Sequence, residues 1–188
     1  MKLVENIDFK KLMIEDNLML RQKVDSDRDD YIRIRKSVAD VKELYDNQEY
    51  INQIYEEFRE AELVIIVMDN IVIGYIIISD FSDNSIEIGC DIFPDYQNKG
   101  LAQKVIPAVI KHLRETESGI SIIARVYNDN HISKHVIEKL GGIHTMDEPS
   151  EYEVMRRKMV EFFENNKMDI SEDYLKQDTR GIEVYKFV

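Results

Sequence analysis

The chain reads as an α/β protein of the α+β kind. It predicts a mixed, mostly antiparallel central sheet of about seven strands flanked by helices, with an extra helix before the last strand. Three observations lead there. Short β-branched runs alternate with amphipathic segments, two of the helical segments connect strands, and a clear hairpin sits in the first half. With 188 residues, 44% of them hydrophobic and 33% charged, the chain can bury one core and stay in solution.

The elements follow in order. "NLMLRQKV" (17–24) sets Leu18 and Leu20 against polar neighbours and reads as a first strand. "DSDRDDYIRIRKSV" (25–38) opens with capping and acidic residues, then places Tyr31, Ile34 and Val38 on one helical face. In "NQEYINQIYEEFREA" (47–61), Ile51, Ile54, Tyr55 and Phe58 fall at the spacing of a second helix. "ELVIIVMDNIVIGYIIIS" is a hairpin, because Asp69 and Asn70 tolerate the positive φ of a two-residue turn. "SIEIGCDIF" (85–93) is the next strand.

"LAQKVIPAVIKHL" carries Leu101, Val105, Ile106, Val109, Ile110 and Leu113 on one face, with Pro107 predicting a kink. "GISIIARVY" (119–127) is a strand. A helix over 128–142 is capped by Asn130, faces the core with Ile132, Val136, Ile137 and Leu140, and ends at Gly141. "IHTMD" is a further strand. "SEYEVMRRKMVEFFENN" (150–166) is the extra helix, its Met155 and Met159 read as packing residues, and "GIEVYKFV" closes the chain as a strand. The whole reads as one domain over 1–188. Its core covers about 17–147 plus the final strand 181–188, with an insertion over about 148–180.

Charge and cysteine content narrow the function classes. The net charge of −12 argues against nucleic-acid binding through a general electrostatic field, and no Lys/Arg run supplies a local patch. Cys90 is the only cysteine, which rules out an intrachain disulfide and fits a reducing, cytoplasmic compartment. "MKLVENIDFKK" lacks the apolar core of a signal peptide. "LVIIVM" and "IVIGYIII" are too short to span a bilayer, so no membrane partner is expected. The clusters "DSDRDD" and "DEPSEYE" read as solvated helix starts. His131 and His135 share a helical face, but with no H-E-x-x-H or cysteine pair beside them no metal is expected. Cys90 lacks a visible histidine partner and reads as a half-buried strand residue rather than a nucleophile.

The stretch "PDYQNKGLAQKV" (94–105) passes from a strand end through one glycine straight into a helix. The first amides of a helix have no intrahelical acceptor and, with the helix dipole, attract an anion. Gly100 lets that anion approach the backbone. The spacing is neither a P-loop nor a dinucleotide fingerprint. Gln97 to Ala102, as Q-x-x-G-x-A, resembles the pyrophosphate loop of the GNAT superfamily of N-acetyltransferases. The longer "IEIGCDIFPDYQNKGLA" is most similar to the branch of ribosomal-protein N-terminal acetyltransferases. "ARVYNDNHISKHVIEKLGG" resembles the second motif of that superfamily, with Asn-x-x-Ser at a helix start.

This resemblance implies acetyl-CoA as co-substrate and a primary amine as acceptor, on a small molecule or a protein N-terminus. The amine attacks the thioester directly while both substrates are bound. The same resemblance places Cys90, Asp91 and Ile92 along the pantetheine arm, Gln97, Asn98, Lys99, Gly100, Leu101, Ala102 and Gln103 around the pyrophosphate, and Asn130 and Ser133 in the second motif. Glu87 matches a carboxylate common on the corresponding strand and is the candidate base, since an ammonium must lose its proton before it attacks.

Two positions depart from the pattern. Ile137 stands where many relatives carry a tyrosine that protonates the leaving thiolate, so either another tyrosine (Tyr127, Tyr152 or Tyr185) does so or the thiolate leaves unassisted. Gly142 replaces a common phenylalanine, which predicts looser packing under the acceptor pocket. A rival from another class is a CoA-binding regulatory module without catalysis. The insertion is expected either to border the acceptor cleft or to make a homodimer contact.

Overall fold

In the computed structural model the described residues are 9–39, 41–82, 84–166 and 180–188. By its contacts the chain divides into two compact units, Met1–Ile123 and Ala124–Val188, with the boundary inside a strand.

The first unit opens with a hairpin, β1 (Leu12–Glu15) and β2 (Leu18–Gln22), and continues through α1 (Arg28–Val38), α2 (Gln48–Glu60), β3 (Glu62–Met68), β4 (Ile71–Ser82), β5 (Ser85–Ile92), α3 (Leu101–Thr116) and the start of β6 (Ser121–Tyr127). The strands pair in sequence order. Every pairing is antiparallel except that of β5 with β6. The turn between β3 and β4 is made by Asp69 and Asn70, both at positive φ (52° and 63°), as the hairpin reading required.

β3 is apolar along its length because both of its faces are covered. Leu63, Ile65 and Val67 join Tyr31, Ile34, Tyr45, Ile54, Phe58 and Tyr75 in the cluster beneath α1 and α2. Val64 and Ile66 point the other way, beside Leu20 and Ile76. α3 makes its most extensive strand contacts with β1 and β5 and contributes nothing to the α1/α2 cluster. It runs through Pro107, which is exposed, and buries the six apolar residues its spacing predicted. Lys104 of α3 pairs with Glu15 of β1 at 2.6 Å.

Helix ends are satisfied by specific side chains. Asn47 caps α2 by accepting from the amides of Glu49 and Tyr50. At the other end Lys23 donates to the carbonyls of Phe58 (2.8 Å), Arg59 (3.0 Å) and Ala61. Before α1, Asp27 is not the solvated residue expected of "DSDRDD". It is buried, takes both guanidinium nitrogens of Arg21 at 2.6 and 2.7 Å, and accepts the amide of Val24 at 2.8 Å. A carboxylate leaves water only when donors replace its hydration, and here three do.

The second unit holds the end of β6, α4 (His131–Lys139), β7 (Gly142–Pro149), α5 (Glu151–Asn165) and β8 (Gly181–Phe187). β8 lies between β6 and β7 and pairs antiparallel with β7. Asn130 caps α4 and Ser150 caps α5. Glu153 of "DEPSEYE" is likewise buried, held by Arg156 at 2.7 and 2.8 Å and by Arg157 at 2.6 Å. Gly142 is tight rather than loose: a Cβ there would lie 2.5 Å from Ile137 Cγ2 and 3.0 Å from the Ile137 carbonyl. Two apolar readings also need correction, since Ile132 is 72% exposed and Met155 63%.

The described strands number eight, one more than expected, and the extra one is β1. The insertion over 148–180 contributes the end of β7 and α5, and its residues 167–179 lie outside the described residues. Among the described residues no helix is long and apolar enough to cross a membrane.

Asp27→Ala leaves the Arg21 guanidinium and the Val24 amide without their acceptor. Urea unfolding should show a loss of about 2 kcal/mol, in the range for hydrogen bonds to a charged group.

Candidate active site

β5 is the strand on which the site is built. β4 lines one of its edges from Ser85 to Ile92. Along the other edge β6 pairs only over Ser85, Ile86 and Glu87, opposite Ser121, Ile122 and Ile123. Beyond Glu87 this second edge pairs with no strand among the described residues of the first unit, which leaves main-chain groups there that a ligand could hydrogen-bond.

Glu87, Gly89 and Asp91 share the face of β5 that points toward α1 and α2, as do their β4 partners Ser79, Ile77 and Tyr75. Glu87 is half-buried. Ile86, Ile88, Cys90 and Ile92 point to the opposite side. Burial, and then the neighbouring Asp91 carboxylate, push the Cys90 thiol up to about 12. That keeps it protonated at neutral pH and supports the reading of Cys90 as no nucleophile.

The loop after β5 is fastened at its base. Phe93 N donates to Ile73 O (2.8 Å), Tyr96 N to Phe93 O (2.8 Å) and Gln97 N to Pro94 O (3.1 Å). The Gln97 side chain reaches back to Ile92 O at 2.8 Å. Gln97 therefore anchors the loop to the strand end rather than reaching outward. Lys99 lies over the Tyr96 ring at 5.1 Å. From there the backbone turns through positive φ at Asn98 (59°) and Gly100 (73°) and enters α3.

The amides of Asn98 to Gln103 enter none of the turn and cap hydrogen bonds among the described residues. Gly100 caps the helix without a side chain, and no acidic residue occupies the first turn. A Cβ on Gly100 would meet nothing within 4 Å, so the space above these amides is open. Bare amides, the positive end of a sixteen-residue helix and no competing carboxylate together make an anion site.

In the second unit Asn130 gives its Oδ1 to the amide of Ser133 at 3.1 Å, which leaves its NH2 group for a ligand. Ile137 is buried and carries no proton to donate. Of the three tyrosines considered in its place, Tyr127 and Tyr152 are 41% and 55% exposed. Tyr185 is buried, with its hydroxyl 2.7 Å from Glu183 and 3.2 Å from Glu138. Burial, then Glu183, raise its phenol above the ordinary value and hold it protonated. A cavity of about 440 Å³ in this unit, between Arg125, Glu148 and the start of α5, includes none of the candidate cofactor residues. Among the described residues no group of three or more His, Cys, Asp or Glu is placed to hold a metal, and His131 and His135 are exposed.

One group of residues escaped the sequence reading. Tyr75 and Tyr31 are each 3% exposed, with ring centroids 4.7 Å apart. Tyr75 donates to Asp91 Oδ2 at 2.5 Å. Arg35 donates to the Tyr31 hydroxyl at 3.2 Å and to Glu57. Polar groups thus run from α2 through α1 and β4 to the open end of β5. The lone phenol in the aliphatic run "IVIGYIII" was the available signal.

An open strand edge that leads into a loop of bare amides, on a mixed sheet covered by helices, is an arrangement suited to a CoA-dependent acyltransferase. Residues 12–143 match the family model described as the acetyltransferase (GNAT) domain. The chain belongs to this family and is an acetyl-CoA-dependent acetyltransferase. It matches none of the curated proteins in sequence.

Its fold is similar to that of several solved structures. RimL, a ribosomal alpha-N-protein acetyltransferase in complex with coenzyme A, matches with a TM-score of 0.67 and 13% identity, over 95% of this chain and 98% of that one. The dodecameric spermidine N-acetyltransferase of Vibrio cholerae matches with a TM-score of 0.66 and 14% identity, over 93% and 95%. YncA of Salmonella typhimurium with its cofactor acetyl-CoA matches with a TM-score of 0.61 and 14% identity, over 92% and 94%. The family resemblance read from the Gln97–Ala102 motif agrees with the family model, and these neighbours share the fold.

Two measurements test the site. Gly100→Val puts a branched side chain at positive φ over the bare amides, and should raise the acetyl-CoA dissociation constant at least about tenfold while the domain stays folded. With a thiol at about 12, Cys90 should react with iodoacetamide at pH 8 on the order of 1,000-fold more slowly in the native protein than in urea.

Proposed function

We propose that the protein transfers the acetyl group of acetyl-CoA to a primary amine of a small molecule or a protein N-terminus, by direct attack with both substrates bound. The observation that carries this reading is the ending of the β5–β6 pairing at Glu87. The open edge begins where the one carboxylate assigned as base is located. In this reading the pantetheine chain follows the edge from Cys90 to Ile92, and the pyrophosphate occupies the amides of Asn98 to Gln103. Asn130 and Ser133 complete the cofactor contacts.

Chemically, the acceptor arrives as an ammonium, because aliphatic amines titrate near about 10 and protein N-termini near about 8. Glu87 takes the proton, directly or through a water, and the neutral nitrogen adds to the thioester carbonyl. The C–N bond forms, the C–S bond breaks and CoA leaves as the thiolate, while the nitrogen gives up its second proton, which passes to the thiolate or to water. CoA's thiol titrates near the ordinary thiol value of about 8.5, so the thiolate is an adequate leaving group near neutrality without an acid at position 137. The net charge of −12 favours a cationic acceptor, and the single cysteine fits a reducing, cytoplasmic setting.

The test is CoA release from acetyl-CoA across polyamines, aminoglycosides, amino acids and N-terminal peptides. One class should turn over. Glu87→Gln should lower kcat at least about 100-fold for that class, with the deficit growing as pH falls and the amine is more fully protonated. Acetyl-CoA binding without turnover on any class, together with no effect of Glu87→Gln, would favour a binding module instead.

A further inference from the structure

We propose that Tyr75 is a positioning residue for acetyl-CoA: its hydroxyl, bonded to Asp91, fixes the open end of β5 in the shape that receives the cofactor. The inference rests on the reading of that edge as the pantetheine track.

Past Glu87, β5 has a strand partner on one edge only, so β4 alone must hold it in place. At the far end the grip is unusually close. Gly74 approaches so tightly that a Cβ there would lie 2.5 Å from Asp91 O and 3.2 Å from Ile92 Cα. Phe93 N and the Gln97 side chain tie down the residues that follow. The side-chain link at this rung is Tyr75 to Asp91 at 2.5 Å.

Packing does not require the hydroxyl. The Tyr75 ring lies among Tyr31, Ile65 and Phe58 of the apolar cluster, where phenylalanine would fit as well. A hydroxyl in such surroundings is costly unless it finds an acceptor, and this one finds Asp91. Burial first, then the Asp91 charge, raise the Tyr75 phenol far above its ordinary value, so it remains a donor at every working pH. Asp91 in turn is half-buried and belongs to the strand whose outer edge is open. The bond therefore adds a side-chain tie between the core under α1 and α2 and a strand segment that has a strand partner on one edge only. Its loss lets that segment shift, and a ligand that reads main-chain groups loses registry.

The test is calorimetric binding of acetyl-CoA to the full chain, with thermal unfolding measured in parallel. Tyr75→Phe should weaken binding about tenfold and move the melting temperature by only a few degrees. Asp91→Ala removes the same bond from the other side and should give a similar loss. The double variant should be no weaker than either single one, while Asp91→Asn, which retains an acceptor oxygen, should recover most of the affinity. Should Tyr75→Phe fail to fold, the pair Asp91→Ala and Asp91→Asn reads the same bond. Unchanged affinity in Tyr75→Phe and Asp91→Ala, or additive losses in the double variant, would overturn the inference while leaving the cofactor site intact. Wild-type protein that does not bind acetyl-CoA would overturn the cofactor reading, and this inference with it.

Discussion

The constraint on which this protein turns is the obligation of backbone N–H and C=O groups to find partners. β5 meets it on one edge with β4 and on the other only as far as Glu87. The amides of the following loop and of the start of α3 are left open in the same way. Such openings weaken a fold unless something else fills them, and a long ligand with amide and phosphate groups is chemically suited to do so. The surrounding structure can be understood as the means of keeping these groups open without losing the strand. Gly74 draws β4 close, Gln97 ties the loop to Ile92, and the left-handed turns at Asn98 and Gly100 aim the amides one way.

The two faces of the first unit divide the labour. Toward α3 the strands present aliphatic side chains almost exclusively, and that face supplies cohesion. Toward α1 and α2 the apolar cluster is threaded by hydroxyls and charges, from Glu57 and Arg35 through Tyr31 and Tyr75 to Asp91. Polar groups among buried rings contribute little net stability, because each bond mainly offsets a desolvation cost. Their value lies in geometry: they admit one arrangement of helix and strand. It fits that Glu87, the assigned base, projects toward this polar-threaded side and not toward the aliphatic one.

What the sequence disclosed, and what it hid, follows from how local each cause is. The β3–β4 hairpin was legible because its turn chemistry and both apolar runs are contiguous, and α3 because its face repeats over four turns despite Pro107. The turn into α3 was legible because a glycine at a helix start leaves a fixed spacing. β1 was not: its four residues are mostly exposed and show no alternation, so only pairing with β2 makes them a strand. Asp27 and Glu153 looked like solvated charges because their arginine partners are apparent only after folding, Arg21 from the neighbouring strand and two arginines one turn further along α5. The Tyr75–Asp91 bond joins residues sixteen apart, across a hairpin register that composition cannot fix.

The pair Ile137 and Gly142 shows how a departure from a family pattern is absorbed. An isoleucine is smaller than the tyrosine common at that place and a glycine far smaller than phenylalanine, so the two changes together would be expected to hollow out the end of α4. Instead the helix end and the start of β7 close on each other until Gly142 has no room for a Cβ beside Ile137. The chain turns there through Gly141 at a φ of 86°, which lets the strand begin directly under the last helical turn. Gly142 thus fits directly against Ile137, and position 137 supplies no acid. The chemistry must then rely on the group that needs least help, the thiolate, and concentrate its demand on the amine, whose proton has to be removed before attack. In the proposed mechanism this places the burden of catalysis on Glu87 and on the seating of the thioester beside it, so the restraint of β5 matters there as much as the base.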